Sequence, residues 1–328
     1  MKKAAWVLAI VFGLVFVGAT LLNADLIVKS REALAHGVSL SPSSATPERY
    51  QVIAVMPDTD DSFFRGLLDG IRTGAAKAEA AIQVFRYPGS SSADAERYFE
   101  IALLAKVDGL IMYTPRNDRV SDRSARAARS GVVFIPVGTD APDGGRLNFI
   151  GSGSLLQGFE GGRIICSVLG SSARIGVILP ATSTGDLRDE LLYRGVDSAV
   201  RTFPGASIAS VVRARSGILS GEEAAARMLR TAPSVDAIFC SNAQDTEGAA
   251  QVVVDANRVG NVFIVGADET PDIDHYIDKG VVGASIVRDS RRIGLDAMLA
   301  FTRLKDGKGP SEAVEVGFTV KRAAEVTN

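Results

Sequence analysis

Short apolar runs alternate with longer helical stretches along nearly all of the chain beyond residue 50, and this repetition constrains the fold more than any other feature. Strands are predicted at 52–56, 82–87, 109–113, 132–137, 175–179, 208–213, 237–240, 262–265 and 282–287. Between them lie helical stretches such as 63–80, 93–106, 155–169, 187–203, 221–231 and 246–257. Most of the strands are continuous apolar runs, as in Val52-Ile53-Ala54-Val55-Met56, which suits parallel strands covered on both faces. The 82–87 run is interrupted by Gln83 and Arg86 and belongs nearer a sheet edge. Repeated strand–helix units imply right-handed crossovers and a doubly wound α/β sheet. Nine such strands are many for one sheet, and Gly151-Ser152-Gly153 breaks the pattern midway. Two Rossmann-like lobes with parallel sheets, of four or five units each, satisfy the count, and 328 residues are enough for both.

Ahead of this repeat, Met1-Lys2-Lys3 precedes an apolar run over residues 4–22, in which Thr20 is the only hydroxyl residue. At about 1.5 Å per residue the run approaches the roughly 30 Å of a bilayer core. Lys2 and Lys3 assign its start to the cytoplasmic side, so the remainder of the chain is expected to be exported. A transmembrane anchor is the first reading of residues 1–24. A cleaved signal peptide, leaving the chain free in the periplasm, is the second, because Val17-Gly18-Ala19 is a passable cleavage site. Residues 25–49 then read as a tether, Ser/Pro-rich over 37–47.

Charge and motif content narrow the function classes. Lys and Arg number 36 against 38 Asp and Glu, a net charge of -2 that argues against a general nucleic-acid binder. The two histidines (His36, His275) and two cysteines (Cys166, Cys240) are too few for a Cys/His zinc site or a disulfide framework. No phosphate-binding G-x-x-x-x-G-K-[ST], H-E-x-x-H, C-x-x-C or G-x-S-x-G occurs. Asp58-Thr59-Asp60-Asp61-Ser62-Phe63 has Phe63 where a calcium loop needs glycine. The chain therefore reads as a binding protein with no metal and no cofactor. An enzyme on the same fold is the competing class, without a nucleophile or cofactor fingerprint to support it.

Ligands of open parallel sheets bind beyond the carboxyl ends of the strands. The residues following the predicted strands are Asp58 to Phe64 after the first, Thr139 and Asp140 after the fourth, and Thr182 to Arg188 after the fifth. Ser241 and Asn242 follow the seventh, Asp268 and Glu269 the eighth, and Arg288 the ninth. Carboxylates accept hydroxyl hydrogen bonds, an amide does both, a guanidinium donates in a planar fork, and a phenyl ring packs on the C–H face of a sugar. A small polyhydroxylated ligand fits this set. Helix capping is the plainer role for Asp58, Asp60, Asn242 and Asp268, and a surface position the plainer one for Arg288.

From residue 52 to about 321 the chain resembles the periplasmic sugar-binding proteins of the ribose-binding type, which share their fold with the effector domains of the lactose-repressor family. Ser62-Phe63-Phe64-x5-Gly70, Phe239-Cys240-Ser241-Asn242, Val265-Gly266-Ala267-Asp268-Glu269-Thr270-Pro271-Asp272 and Ile286-Val287-Arg288-x4-Ile293-Gly294 carry the likeness. The resemblance implies ligand contacts at Asp61, Phe63, Phe64, Asn242, Asp268 and Arg288, with Asp61 where ribose-type members have Asn and Arg288 where they have Gln. Two departures stand out. The family's Asp-Arg after the fourth strand is Gly138-Thr139 here, with Asp140 one step later. Its arginine in the second lobe aligns near Glu190, which leaves Arg188 as a shifted candidate.

The resemblance also implies a mechanism: a ligand cleft between lobes joined by three hinge crossings, near 151–154, 268–289 and 317–319. The N-terminal lobe would comprise 50–152 plus 289–317, and the C-terminal lobe 153–288 plus 318–328. The implied function is capture of a monosaccharide for an ABC permease or a membrane sensor kinase. A nucleoside or other small metabolite is the alternative ligand, and a ligand-sensing regulator without DNA-binding activity the second alternative.

Overall fold

The computed structural model describes residues 48–88, 92–114, 119–138, 150–181, 187–215, 217–231, 234–309 and 314–323. The apolar run 4–22, residues 25–47 of the tether and Asp140 lie outside the described residues. Among those described, no helix is long and apolar enough to cross a membrane.

The first half of the chain runs β1 (Tyr50–Asp58), α1 (Ser62–Lys77), β2 (Ala80–Pro88), α2 (Ser92–Leu104), β3 (Gly109–Thr114), α3 (Val120–Arg129), β4 (Val133–Gly138) and β5 (Ile150–Gly151). The second half runs α4 (Ser154–Leu169), β6 (Arg174–Pro180), α5 (Leu187–Val200), β7 (Ser207–Ala214), α6 (Ile218–Arg230), β8 (Ala237–Cys240), α7 (Ala243–Asp255), β9 (Phe263–Ala267), α8 (Pro271–Asp278) and β10 (Ala284–Arg288). The chain ends in α9 (Ser290–Lys305), β11 (Val314–Glu315) and β12 (Phe318–Lys321). Each of the nine strands expected from the apolar runs is present. The three short strands β5, β11 and β12 were not expected, because two to four residues are too few to show a period.

Two six-stranded sheets result, ordered β11-β5-β4-β3-β1-β2 and β12-β10-β9-β8-β6-β7. Their five principal strands follow the same order, so the two halves repeat one doubly wound topology. The pairings within each sheet are parallel, except that β12 runs antiparallel to β10. β2, with its polar interruptions, is an edge strand. The chain passes from one sheet to the other after β5, returns after β10 when α9 packs on α1, and crosses again between β11 and β12.

Each sheet is covered on both faces. Val52, Ala54 and Met56 of β1 join a core beneath α1 and α9, while Ile53 and Val55 join the opposite core with Phe99 and Phe134. Alternating strand residues point to opposite faces, so a run apolar at every position buries both. Each fully buried Ile, Leu or Phe contributes roughly 1.5–3 kcal/mol. Cys166 and Cys240 are both buried free thiols, in separate cores of the second lobe.

Helices α1 and α9 touch at their backbones. A Cβ added to Gly70 would collide with the carbonyl oxygen of Arg291, and one on Gly294 with the carbonyl of Leu67. Gly158 of α4 and Gly195 of α5 make the same approach in the other lobe. Phe63 lies in the first turn of α1, and Arg288 stands two residues before α9.

Candidate functional site

In this strand order the direction of winding reverses between β1 and β3, and again between β6 and β8. The segments following β1, β6 and β8 at those two points carry Asp61, Arg188 and Asn242, and Asp268 and Arg288 come from the neighbouring β9 and β10.

At the first point, Asp61 rather than Asp58 or Asp60 is the N-cap of α1, its Oδ1 accepting from the Phe63 N–H at 2.8 Å. The cap starts the helix at Ser62 and thereby aims Phe63 and Phe64 from its first turn. The two rings meet edge to face at 5.2 Å, and Phe64 meets Tyr113, near the end of β3, at 4.9 Å. Phe63 is 4% exposed and belongs to the core as well as to the cleft.

Asp268 and Arg288 form the centre of the opposite wall. Asp268 follows β9 with φ of +63°, a left-handed conformation that Asp adopts more readily than most residues. Its N–H donates to the Ile286 carbonyl at 2.8 Å, and its carbonyl accepts from Ser285 Oγ at 2.6 Å, so the turn is fixed against β10. Its carboxylate takes a bidentate contact from Arg288, Nε to Oδ1 at 2.8 Å and Nη2 to Oδ2. The guanidinium carbon lies 3.9 Å from the Phe63 ring centroid, a cation–π contact between the lobes.

At the second point, Arg188 in the first turn of α5 is buried and donates from Nη2 to the Ser241 carbonyl at 2.7 Å. Asp189, 1% exposed, stands 3.6 Å from Arg188 and 3.8 Å from Arg213. Asn242 caps α7: Oδ1 accepts from the Asp245 N–H at 2.8 Å and Nδ2 donates to Asp245 Oδ2 at 2.6 Å. Thr246 donates to the Asn242 carbonyl and accepts from the Ala267 N–H, which ties α7 to the strand that delivers Asp268.

Burial and crowding of like charges shape the protonation of this cluster. Asp61 is pushed upward by burial first and by the nearby Asp268 charge second, with Arg288, the Phe63 N–H and Arg188 pulling the other way. Burial lifts Asp245 to about 7 against the Asn242 hydrogen bond, and Asp61 and Asp189 add to the rise. Burial opposes the charge of Arg288, yet Asp268 and Asp61 more than offset it and its pKa rises.

Between the lobes is a small cavity of about 10 Å3, partly open to solvent, whose wall includes Phe63, Tyr113, Ser152, Gln157, Arg188 and Arg288; it has room for about one water, so a larger ligand enters only as the lobes separate. Asp61, Phe64, Asn242 and Asp268 are not on that wall. Asp268 is bonded to Arg288, Phe64 packs edge to face on Phe63 and Tyr113, and Asn242 is engaged in its cap. Of the two candidates near the start of α5, Arg188 reaches the cavity, while Glu190 is exposed and pairs with Arg194. Sequence reasoning missed Tyr113, which is the last residue of a predicted strand rather than the first of a loop. It missed Ser152 and Gln157, which lie at a crossing rather than after a long strand. Asp245 was legible in principle, as an acid three residues beyond an N-cap. Among the described residues no group of His, Cys, Asp and Glu is arranged to hold a metal.

Comparison with known proteins bears on this arrangement. Residues 52–309 match the family described as periplasmic binding protein domain. The D-allose-binding periplasmic protein of Escherichia coli strain K12 is 21% identical over 281 residues, which are 83% of this chain and 89% of that one. The ribose import binding protein RbsB of the same strain is 24% identical over 269 residues, 81% of this chain and 89% of that one. Among solved structures, a XylFII–LytSN complex matches with a TM-score of 0.78 at 20% identity, over 85% of this chain and all of that one.

Proposed function

Since the chain belongs to the periplasmic binding protein family, we propose that it is an exported solute receptor that closes on a monosaccharide and presents it to an ABC permease. The observation that carries this reading is the convergence of Phe63, Arg188 and Arg288, from two lobes, on one inter-lobe cavity. The names of the relatives, which bind D-allose and import ribose, favour a sugar over a nucleoside or another metabolite. A binding protein needs no reacting group, in keeping with the absence of any catalytic motif in the sequence.

The ligand set expected from the sequence is Asp61, Phe63, Phe64 and Asp140 from one lobe and Arg188, Asn242, Asp268 and Arg288 from the other; of these Phe63, Arg188 and Arg288 line the cavity, and Asp268 acts through Arg288. A ligand shifts the lobes toward closure only through contacts that the open form lacks. The hinges are the three crossings, which divide the chain into 50–152 plus 289–317 and 153–288 plus 318–328. Thermal-shift measurements on residues 48–328 against monosaccharides and nucleosides test the ligand class. Stabilisation by at least one sugar is expected, and a shift with nucleosides alone would replace the reading.

Residues 1–24 anchor the receptor in the membrane in this reading, on the strength of the Lys2-Lys3 start and the apolar run behind it. Mass measurement of the protein's N-terminus checks this: a start near residue 20 or 25 means a released periplasmic protein. A membrane sensor is the second kind of partner in this reading, and the XylFII–LytSN complex is a structure of similar fold solved together with a second component.

A further inference from the structure

The described wall of the cavity bears two guanidiniums and no carboxylate. Arg188 and Arg288 are 8% and 9% exposed, so both are cut off from most of the water that would solvate their N–H groups. Arg288 spends Nε and Nη2 on Asp268, which is not among the residues of the cavity wall. Nη1 makes no hydrogen bond among the described residues. A guanidinium carries five N–H donors, and leaving buried ones unmade is costly, so the ligand is selected for acceptors at this edge.

A neutral hydroxyl brings a donor with every acceptor and asks the wall for an acceptor in return. The side-chain acceptors of the described wall are the neutral oxygens of Tyr113, Ser152, Ser154 and Gln157, with Ser152 Oγ already accepting from Gln157. A carboxylate brings acceptors alone, and its two oxygens match the planar fork of an arginine. Asp61, the carboxyl facing Arg288 from the other lobe, holds its proton more readily than an exposed Asp does, which lowers its repulsion of an incoming anion.

We propose that the cleft takes a monosaccharide-sized sugar acid whose carboxylate lies against the Nη1 side of Arg288, with the Arg188 guanidinium on the same wall. This rests on the reading of the cleft as a sugar site and names the class of sugar.

Calorimetric titration of the full-length chain in detergent with D-galacturonate, D-glucuronate and D-gluconate, beside D-galactose and D-glucose, tests it. At least one acid is expected to bind about tenfold or more tighter than the neutral sugars. Arg288→Gln is expected to abolish that preference, and Arg288→Lys to keep part of it. Neutral sugars that bind as tightly as the acids overturn the proposal and leave the sugar receptor standing. Failure of both series to bind overturns the receptor reading and the proposal with it. The wild-type comparison decides the matter even if a variant fails to fold.

Discussion

Arg288 and Phe63 face each other across the cleft, with the guanidinium carbon 3.9 Å from the ring centroid. One residue ends a strand of the second sheet and the other opens a helix on the first. Asp268 holds the guanidinium in that position from behind. The lobes thus meet through a cation that is already paired, and the pairing decides which of its donors remain for a ligand.

Removing the partner should expose the cost of that arrangement. Asp268→Ala leaves Arg288 charged and buried without its counterion, and a stability loss of about 3–5 kcal/mol is expected in urea unfolding. Ligand affinity should fall by about 2 kcal/mol or more in the same variant. Wild-type values for both would show that the pair contributes nothing to fold or cleft.

Stability should depend on pH through Asp245. Its folded pKa, lifted to about 7 by burial, lies above the ordinary aspartate value of 3.8. Below about pH 4 both folded and unfolded forms hold the proton. Between about 4 and 7 the unfolded carboxyl ionises first, so folding loses stability as pH rises, to a total of roughly 4 kcal/mol at most above 7. Asp61, also raised, acts with the same sign. Melting curves of wild type and Asp245→Asn from pH 5 to 8 check this, the wild type falling more steeply. Parallel slopes would rule out Asp245 as the titrating group.

Asn242 has two separable roles. As the cap of α7 its replacement by Ala is expected to cost about 1 kcal/mol, measured in urea, and more if Asp245 is left buried without the amide. Asn242→Asp keeps a capping oxygen but sets a second carboxylate against Asp245. It should therefore destabilise the protein more at high pH, where both carboxylates are ionised, than at low pH.

Close helix contact predicts a contrast among glycines. Gly70→Ala drives a methyl into the Arg291 carbonyl and is expected to destabilise by about 1–3 kcal/mol. It should also loosen the α1–α9 pair that flanks the cleft, which would appear as weaker ligand binding. An unchanged urea midpoint would mean that the helices separate freely.

Much of the fold was legible because a buried parallel strand must be apolar at every position, and most of the nine strand runs along the chain are of that kind. The candidate loops were legible for the same reason, since knowing where a strand ends locates the crevice. Tyr113 was not, because the last residue of a strand looks like any other core aromatic. Nor was the glycine contact of α1 with α9, whose partners are more than two hundred residues apart.

The sequence by itself determined the α/β class, the two-lobe division and the types of side chain available to a ligand. These follow from hydrophobic periodicity and loop position, which are local properties of the chain. Only the tertiary structure decided that Asp61 and Asn242 are spent on helix caps, that Arg188 reaches the cavity, and that Asp268 is turned from the ligand toward Arg288. Whether a polar group is free or already bonded depends on what burial places beside it, and burial joins residues that the chain keeps far apart.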